Sequence, residues 1–286
     1  MNQEISNQAG DALFTSITES STELIDMEAR IVALQDEARR IREAYADDDF
    51  FRDNLSRVEE VERTAPAWLI QTRKVATSEA NRNFSMLTGP MFTCEEFPWP
   101  LDSGLPMASL IQVDLRALTK LKGLPFGDGL LQVFIAPSGL NWEVRTVPRL
   151  VVEMSIATAL PEFNSDEDSV ASLAWAQDGG EFDEIVGVAE PVVSSYAEFG
   201  RENLLAGLPE DLRTFVAKMD SMAGNVSGPA YFFGTFYLVQ HLPSECPPSL
   251  VCFNNDENFS WGGDGQAQVY YQFTGSEVEF TFNWTC

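Results

Sequence analysis

A single histidine, His241, occurs in 286 residues. That scarcity removes most routes to a catalytic triad or a histidine-rich metal site, since both draw on imidazole as base or ligand. Bases are scarce as well: 18 Lys and Arg stand against 44 Asp and Glu, for a net charge of −26. None lies between Arg149 and Arg201, and none follows Lys218. Such a field repels nucleic acid and anionic membrane, so neither is expected as a partner. Four cysteines (Cys94, Cys246, Cys252 and Cys286) without dense spacing argue against a secreted disulfide framework, and all four are read as reduced. No apolar run approaches the ~18 residues of a membrane span. Met1-Asn2-Gln3-Glu4 also lacks the basic start of a signal peptide. A cytoplasmic protein is the expectation. A phosphate-cradling Gly-rich loop and a Gly-x-Ser-x-Gly elbow are both absent.

What the chain does have is an order of elements stated twice. Thr88-Gly89-Pro90-Met91-Phe92 is followed by Leu110-Ile111-Gln112-Val113-Asp114, then by Phe126-Gly127-Asp128-Gly129 running into Leu130-Leu131-Gln132-Val133-Phe134. Later, Phe233-Gly234-Thr235-Phe236-Tyr237 precedes Leu250-Val251-Cys252-Phe253-Asn254, and Gly262-Gly263-Asp264-Gly265 runs into Gln266-Ala267-Gln268-Val269-Tyr270-Tyr271. A Gly turn, an apolar strand and a Gly-Asp-Gly turn feeding another strand, in one order, predict two copies of one supersecondary unit.

The residues Gly89-Pro90, Phe97-Pro98-Trp99-Pro100, Gly104-Leu105-Pro106-Met107, Leu110 to Asp114 and Gly129 to Phe134 resemble the first half of the YwqG-like family of bacterial proteins. Gly234 with Gln240, and Trp261-Gly262-Gly263-Asp264-Gly265, resemble two segments of that family's second half. The chain departs from the family pattern in an extra Gly between Trp261 and Asp264, and in Cys252 where the family usually has Gln. The resemblance covers residues from about 84 to the C-terminus. It implies a duplicated α+β fold in a bacterial, cytosolic setting and no mechanism.

The fold expected is therefore α+β, an N-terminal helical hairpin followed by a duplicated, mostly antiparallel β domain. The helical region takes residues 1–66 and the β domain 84–286, with repeat halves at about 84–160 and 228–286. Within residues 10–46, Ile17, Leu24, Ile31, Ala38 and Tyr45 fall on one heptad position and Leu13, Ser20, Met27, Leu34 and Ile41 on the other. Ser20 and Glu23 have capping-box spacing. Phe51, Leu55, Val58 and Val61 predict a second, shorter helix before Pro66. The seam is either a homodimer or partner arm or, as preferred, a hairpin packed on its own β domain. Strands are expected at 109–114, 129–135, 142–147, 150–156, 185–188, 230–239, 250–254, 266–273 and 278–284. An acidic surface insertion is expected over Pro161 to Glu184, and a helix from Pro209.

Three groups of residues invite chemistry. His241, Cys246 and Cys252 could ligate zinc, yet their spacing fits no standard finger and prolines 243, 247 and 248 describe a rigid loop. Asn254-Asn255-Asp256-Glu257-Asn258 is rich in oxygen ligands, but Phe259 stands where a calcium loop needs Gly and Gly265 where it needs an acid. No metal or cofactor is expected. Asp128 and Asp264 would form a symmetric carboxylate pair suited to acid/base work, although Asp-Gly is first of all a hairpin turn. The function expected is non-catalytic protein binding, in its sharpest form an immunity or antitoxin-type protein covering a basic toxin. Asp166, Glu167, Asp168, Asp183 and Glu184 are the expected partner contacts. Solubility or a salty habitat accounts equally for the charge. The alternative function is an enzyme or small-ligand protein using the cleft between the repeats.

Overall fold

The computed structural model describes residues 21–47, 64–76, 85–136, 138–154, 181–194, 209–222, 228–234, 248–254, 261 and 265–285. The protein is a mostly antiparallel β protein with a few helices, one of them near the N-terminus. The second N-terminal helix expected before Pro66 lies outside the described residues, as do Ser20 of the capping box, His241, Cys246 and Asp264. The described chain forms two compact units. The first holds Ile70–Val188 and Phe273–Phe282, and the second holds Ser20–Leu69, Ala189–Gln272 and the residues after Phe282.

Strand β1 (Ala65–Ala76) contributes its first half to the second unit and its remainder to the first. No strand was expected there, since the helical region was set to end at residue 66 and the β domain to begin at 84. Pro66 is tolerated because it stands next to the strand's first residue, where a missing N–H costs little.

In the first unit β1 pairs with β8 (Glu181–Val188), which pairs with β2 (Met86–Leu87). From there the order runs through β5 (Ala108–Asp114) and β6 (Leu130–Ile135) to β7 (Trp142–Val147). A separate small hairpin joins β3 (Leu101–Asp102) to β4 (Leu105–Pro106). Every residue of β5 is buried, including the polar Ser109, Gln112 and Asp114, each of which has hydrogen-bond partners. Helix α2 (Leu115–Lys122) follows it directly, with Asp114 accepting a hydrogen bond from the Arg116 N–H as N-cap and Gly123 closing the end in the left-handed conformation. The segment expected as a strand over 150–156 begins instead with helix α3 (Arg149–Met154). Val151 and Val152 suggested extended chain, but Pro148 pre-sets a first helical turn and its carbonyl accepts from the Val152 N–H. The first four residues of β8 overturn part of the expected surface insertion, since Glu181 to Glu184 are strand.

In the second unit β1 pairs on one side with β9 (Val192–Ser194) and on the other with β10 (Ala230–Phe233). β11 (Ser249–Phe253) and β12 (Gln266–Thr274) follow in order, then β13 (Glu277–Thr285), with Phe273–Phe282 of this last pair counted in the first unit. Helix α1 (Ser21–Ala44) buries Ile31, Leu34, Ala38 and Ile41, which are seam positions of the heptad pattern. It is tied to α4 (Glu210–Met222): the Tyr45 hydroxyl donates to the Asp211 carboxylate at 2.7 Å, and Lys218 pairs with Glu37. Burial of the seam within the chain favours the packed helix over a free dimer arm.

Two local features recur in both units. In β5 and β6 the register slips between Ser109 and Ile111; in β11 and β12 it slips between Ser249 and Val251. Thr88 and Gly89 have φ of 53° and 136°, while Phe233 and Gly234 have φ of 60° and 80°. A Cβ on Gly89 would stand 2.6 Å from Phe182 Cβ, and one on Gly234 would stand 2.7 Å from Ala67 Cβ.

Tyr271 on β12 gives the fold an alkaline weakness. Burial raises its hydroxyl above the ordinary tyrosine value of 10.0. Its stabilising share is fully present below pH ~10 and is lost as pH rises through the higher folded value, because only the unfolded chain ionises freely. Urea titrations at pH 8 and pH 11 are expected to show a smaller alkaline loss in Tyr271→Phe than in the parent; equal losses would assign the effect to other groups.

Candidate functional site

Residues directly opposite on neighbouring strands share a face, so register alone places six side chains of the first unit in one row. Arg73 faces Glu184, Glu184 faces Met86, Met86 faces Gln112, Gln112 faces Gln132 and Gln132 faces Arg145. Five of the six are polar or charged, on a sheet whose other positions are mostly apolar and buried. This row is the candidate site of the first unit.

Its hydrogen bonds turn toward the chain's own segment 91–98. Gln132 Nε2 donates to the Phe92 carbonyl and to Gln112 Oε1, both at 2.7 Å. Gln112 Oε1 also accepts the Phe92 N–H at 2.8 Å. Arg145 Nε donates to Gln132 Oε1 at 2.8 Å, and its Nη1 donates to the Pro98 carbonyl at 2.7 Å and to Glu143 at 3.1 Å. The guanidinium lies 5.0 Å from the centre of the Phe134 ring and 5.8 Å from that of Phe97. Burial lowers the Arg145 pKa from its usual value, and Glu143 opposes that shift. Gln112, Gln132 and Arg145 thus act as a clamp on main-chain groups. The arrangement positions Phe97 and Pro98 rather than activating a nucleophile.

In the second unit a row runs from Leu69 through Tyr231 and Cys252 to Gln268. Gln268 Oε1 accepts from the Ser249 hydroxyl at 2.6 Å. Cys252 is a buried thiol directed at the Phe233 carbonyl. Among the described residues no group of three or more His, Cys, Asp or Glu converges as metal ligands.

Asp128 is exposed on the turn before β6. Its carbonyl accepts from Arg149 Nε at 3.0 Å, so the turn is anchored through its main chain. Arg149 and Arg116 both pair with Asp114. That hydrogen bond, with the Asp114, Asp128 and Glu153 charges, raises the Arg116 pKa against the opposing effect of burial. Asp264, its proposed counterpart, falls outside the described residues, as do Asp166, Glu167 and Asp168. Asp183 and Glu184, expected as partner contacts on a surface loop, lie on β8, between β1 and β2, with side chains 10% and 5% exposed. Asp183 pairs with Lys74 at 3.0 Å and Glu184 with Arg73. Both carboxylates are buried and paired with cations whose own side chains are 60% and 62% exposed.

The residues that sequence reading missed here are Gln112, Gln132 and Arg145 as one group, and Asp114 as a cap. Only the cap had a local signal, an Asp before Leu115, Leu118 and Leu121 at helical spacing.

No family model matches the chain, and no curated protein matches it significantly. Among the described residues no helix is long and apolar enough to cross a membrane.

Proposed function

We propose that the protein is a non-catalytic protein-binding protein of the immunity or antitoxin kind, acting in the cytoplasm by covering a basic toxin. The observation that carries this reading is the charge: 44 acids against 18 bases, with no base between Arg149 and Arg201 or after Lys218. A field of that sign and size accelerates encounter with a cationic surface and repels nucleic acid. The polar row supports binding over catalysis, because Gln112, Gln132 and Arg145 are committed to main-chain groups of segment 91–98. The β domain is read as a duplication related to the YwqG-like family. The matching register slips and the paired positive-φ residues support that reading. A helical hairpin before the β domain completes the proposed architecture, with α1 as its first arm.

The test uses the basic, toxin-like protein expected to be encoded beside this one. Reversing Asp166, Glu167 and Asp168 to Lys is expected to slow association by about tenfold at low salt and to flatten its salt dependence, with folding intact. Stopped-flow association at low and high salt measures both. An unchanged rate would return the charge to a matter of solubility or habitat, and a neighbour that is neither basic nor toxin-like would remove the proposed partner.

A further inference from the structure

Strand β12 outruns its neighbour β11. Their pairing ends with Tyr270 opposite Ser249, and the Tyr271 N–H donates to the Pro248 carbonyl at 3.2 Å. Past that point β12 runs on to Thr274, turns at Gly275 and Ser276, and returns as β13. β13 is the end strand of the sheet, so among the described residues this overhang is a ribbon of two strands. A two-stranded hairpin is marginal in water by itself, and the overhang needs support from elsewhere.

That support comes from side chains of the first unit, to which Phe273–Phe282 belong. Phe273 stacks on Phe126 with ring centres 5.9 Å apart, and Phe280 leans on the same ring at 6.5 Å. Phe282 meets Trp142 at 5.8 Å. Strand alternation agrees with these contacts: Val278, Phe280 and Phe282 are half-buried or buried, while Glu277, Glu279 and Thr281 are exposed. Phe126 and Phe282 are fully buried, whereas Trp142 stays 41% exposed. Among the described strands β12 pairs only with β11 and β13, so no ladder ties the overhang to the first unit. It can lift from Phe126 and Trp142 without breaking a strand pair.

We infer that Phe273–Phe282 form a strap that opens and closes on the first unit in a local equilibrium separate from unfolding of the whole chain. Closed, the strap covers Phe126 and part of Trp142. Open, it uncovers both rings together with its own Phe273, Phe280 and Phe282. A two-stranded element at the end of a sheet, seated through rings, belongs to the least stable part of a fold.

Native-state hydrogen exchange on the full chain, at several low urea concentrations, tests this. Amides of residues 273–282 are expected to be protected at least about tenfold less than those of residues 267–269 earlier in the same hairpin, and with a weaker dependence on urea. Trp142→Ala changes a partly exposed side chain far from the strap in sequence. It is expected to lower protection across 273–282 by about fivefold or more through loss of its ring contact, while residues 267–269 and 230–233 change by less than about twofold. Phe280→Leu, on the strap itself, is expected to act in the same direction, and Glu279→Ser, on the exposed side of the same strand, to leave protection unchanged. Equal protection of 273–282 and 267–269, with one urea dependence, would overturn the strap, because the hairpin would then open only with the whole fold. Unchanged protection of 273–282 in both Trp142→Ala and Phe280→Leu would overturn it as well, because the first unit would not be what holds the overhang.

Discussion

Replacing Gln132 by Leu is expected to destabilise the protein by about 3–5 kcal/mol, among the largest losses from any single side chain of similar size. Gln132 is fully buried and satisfies three groups at once: the Phe92 carbonyl, Gln112 Oε1 and Arg145 Nε. The Phe92 carbonyl and Arg145 Nε lose this buried partner while Gln112 Oε1 keeps the Phe92 N–H, and an orphaned buried group costs about 1–3 kcal/mol. The arginine suffers most, since burial already works against its charge. Arg145→Met removes that charge and keeps an apolar stem for the Phe97 and Phe134 rings, so its cost is expected to be smaller. The double variant is then expected to be less damaged than the sum of the two singles, because the stranded charge is gone. Urea unfolding of the four proteins measures the coupling. Strict additivity would mean that Gln132 and Arg145 stabilise the fold independently and that the clamp is not a unit.

Alanine at Gly89 or at Gly234 is expected to cost about 3 kcal/mol or more. Two penalties combine. The backbone at both positions lies in the left-handed half of conformational space, at φ of 136° and 80°, which alone costs about 1 kcal/mol for a residue with a Cβ. The new methyl group would also stand 2.6 Å from Phe182 Cβ at the first site and 2.7 Å from Ala67 Cβ at the second. Neither neighbour can rotate away, because a Cβ moves only with its backbone. Gly104 and Gly275 separate the two contributions: both have positive φ, at 85° and 67°, but nothing lies within 4 Å of the position a Cβ would take. Alanine there is expected to cost only the conformational penalty. Thermal melting of the four variants checks the ranking. A tolerated Gly234→Ala beside a disruptive Gly89→Ala would break the equivalence on which the proposed duplication rests.

Much of the strand framework was legible one segment at a time. β5, β6, β7, β11, β12 and β13 fall close to where apolar runs and alternation between Gly-rich turns put them, and α4 starts just after Pro209 as its helix signal required. The buried face of α1 follows the heptad positions Ile31, Leu34, Ala38 and Ile41. These features depend on periods of two or three to four residues, which the chain carries locally. α2 was equally legible from Asp114 and Gly123 but was hidden behind the turn signal that follows it. β1 and α3 were not, because Arg73-Lys74 in the one and Val151-Val152 in the other have local preferences that their surroundings override.

The polar row could not be read from the sequence at all. Arg73, Glu184, Gln112, Gln132 and Arg145 come from five strands scattered over the chain, and only the pairing register puts them side by side. A slip of one residue in any strand would turn its member to the opposite face. The same dependence places Asp183 and Glu184 on β8, where they pair with Lys74 and Arg73 of β1, and sets Asp102 against Asn141. Composition determined the sign of the field around the protein, and local periodicity determined most of its elements. Which side chains meet was decided by strand register, a property of pairs of segments that neither segment carries alone.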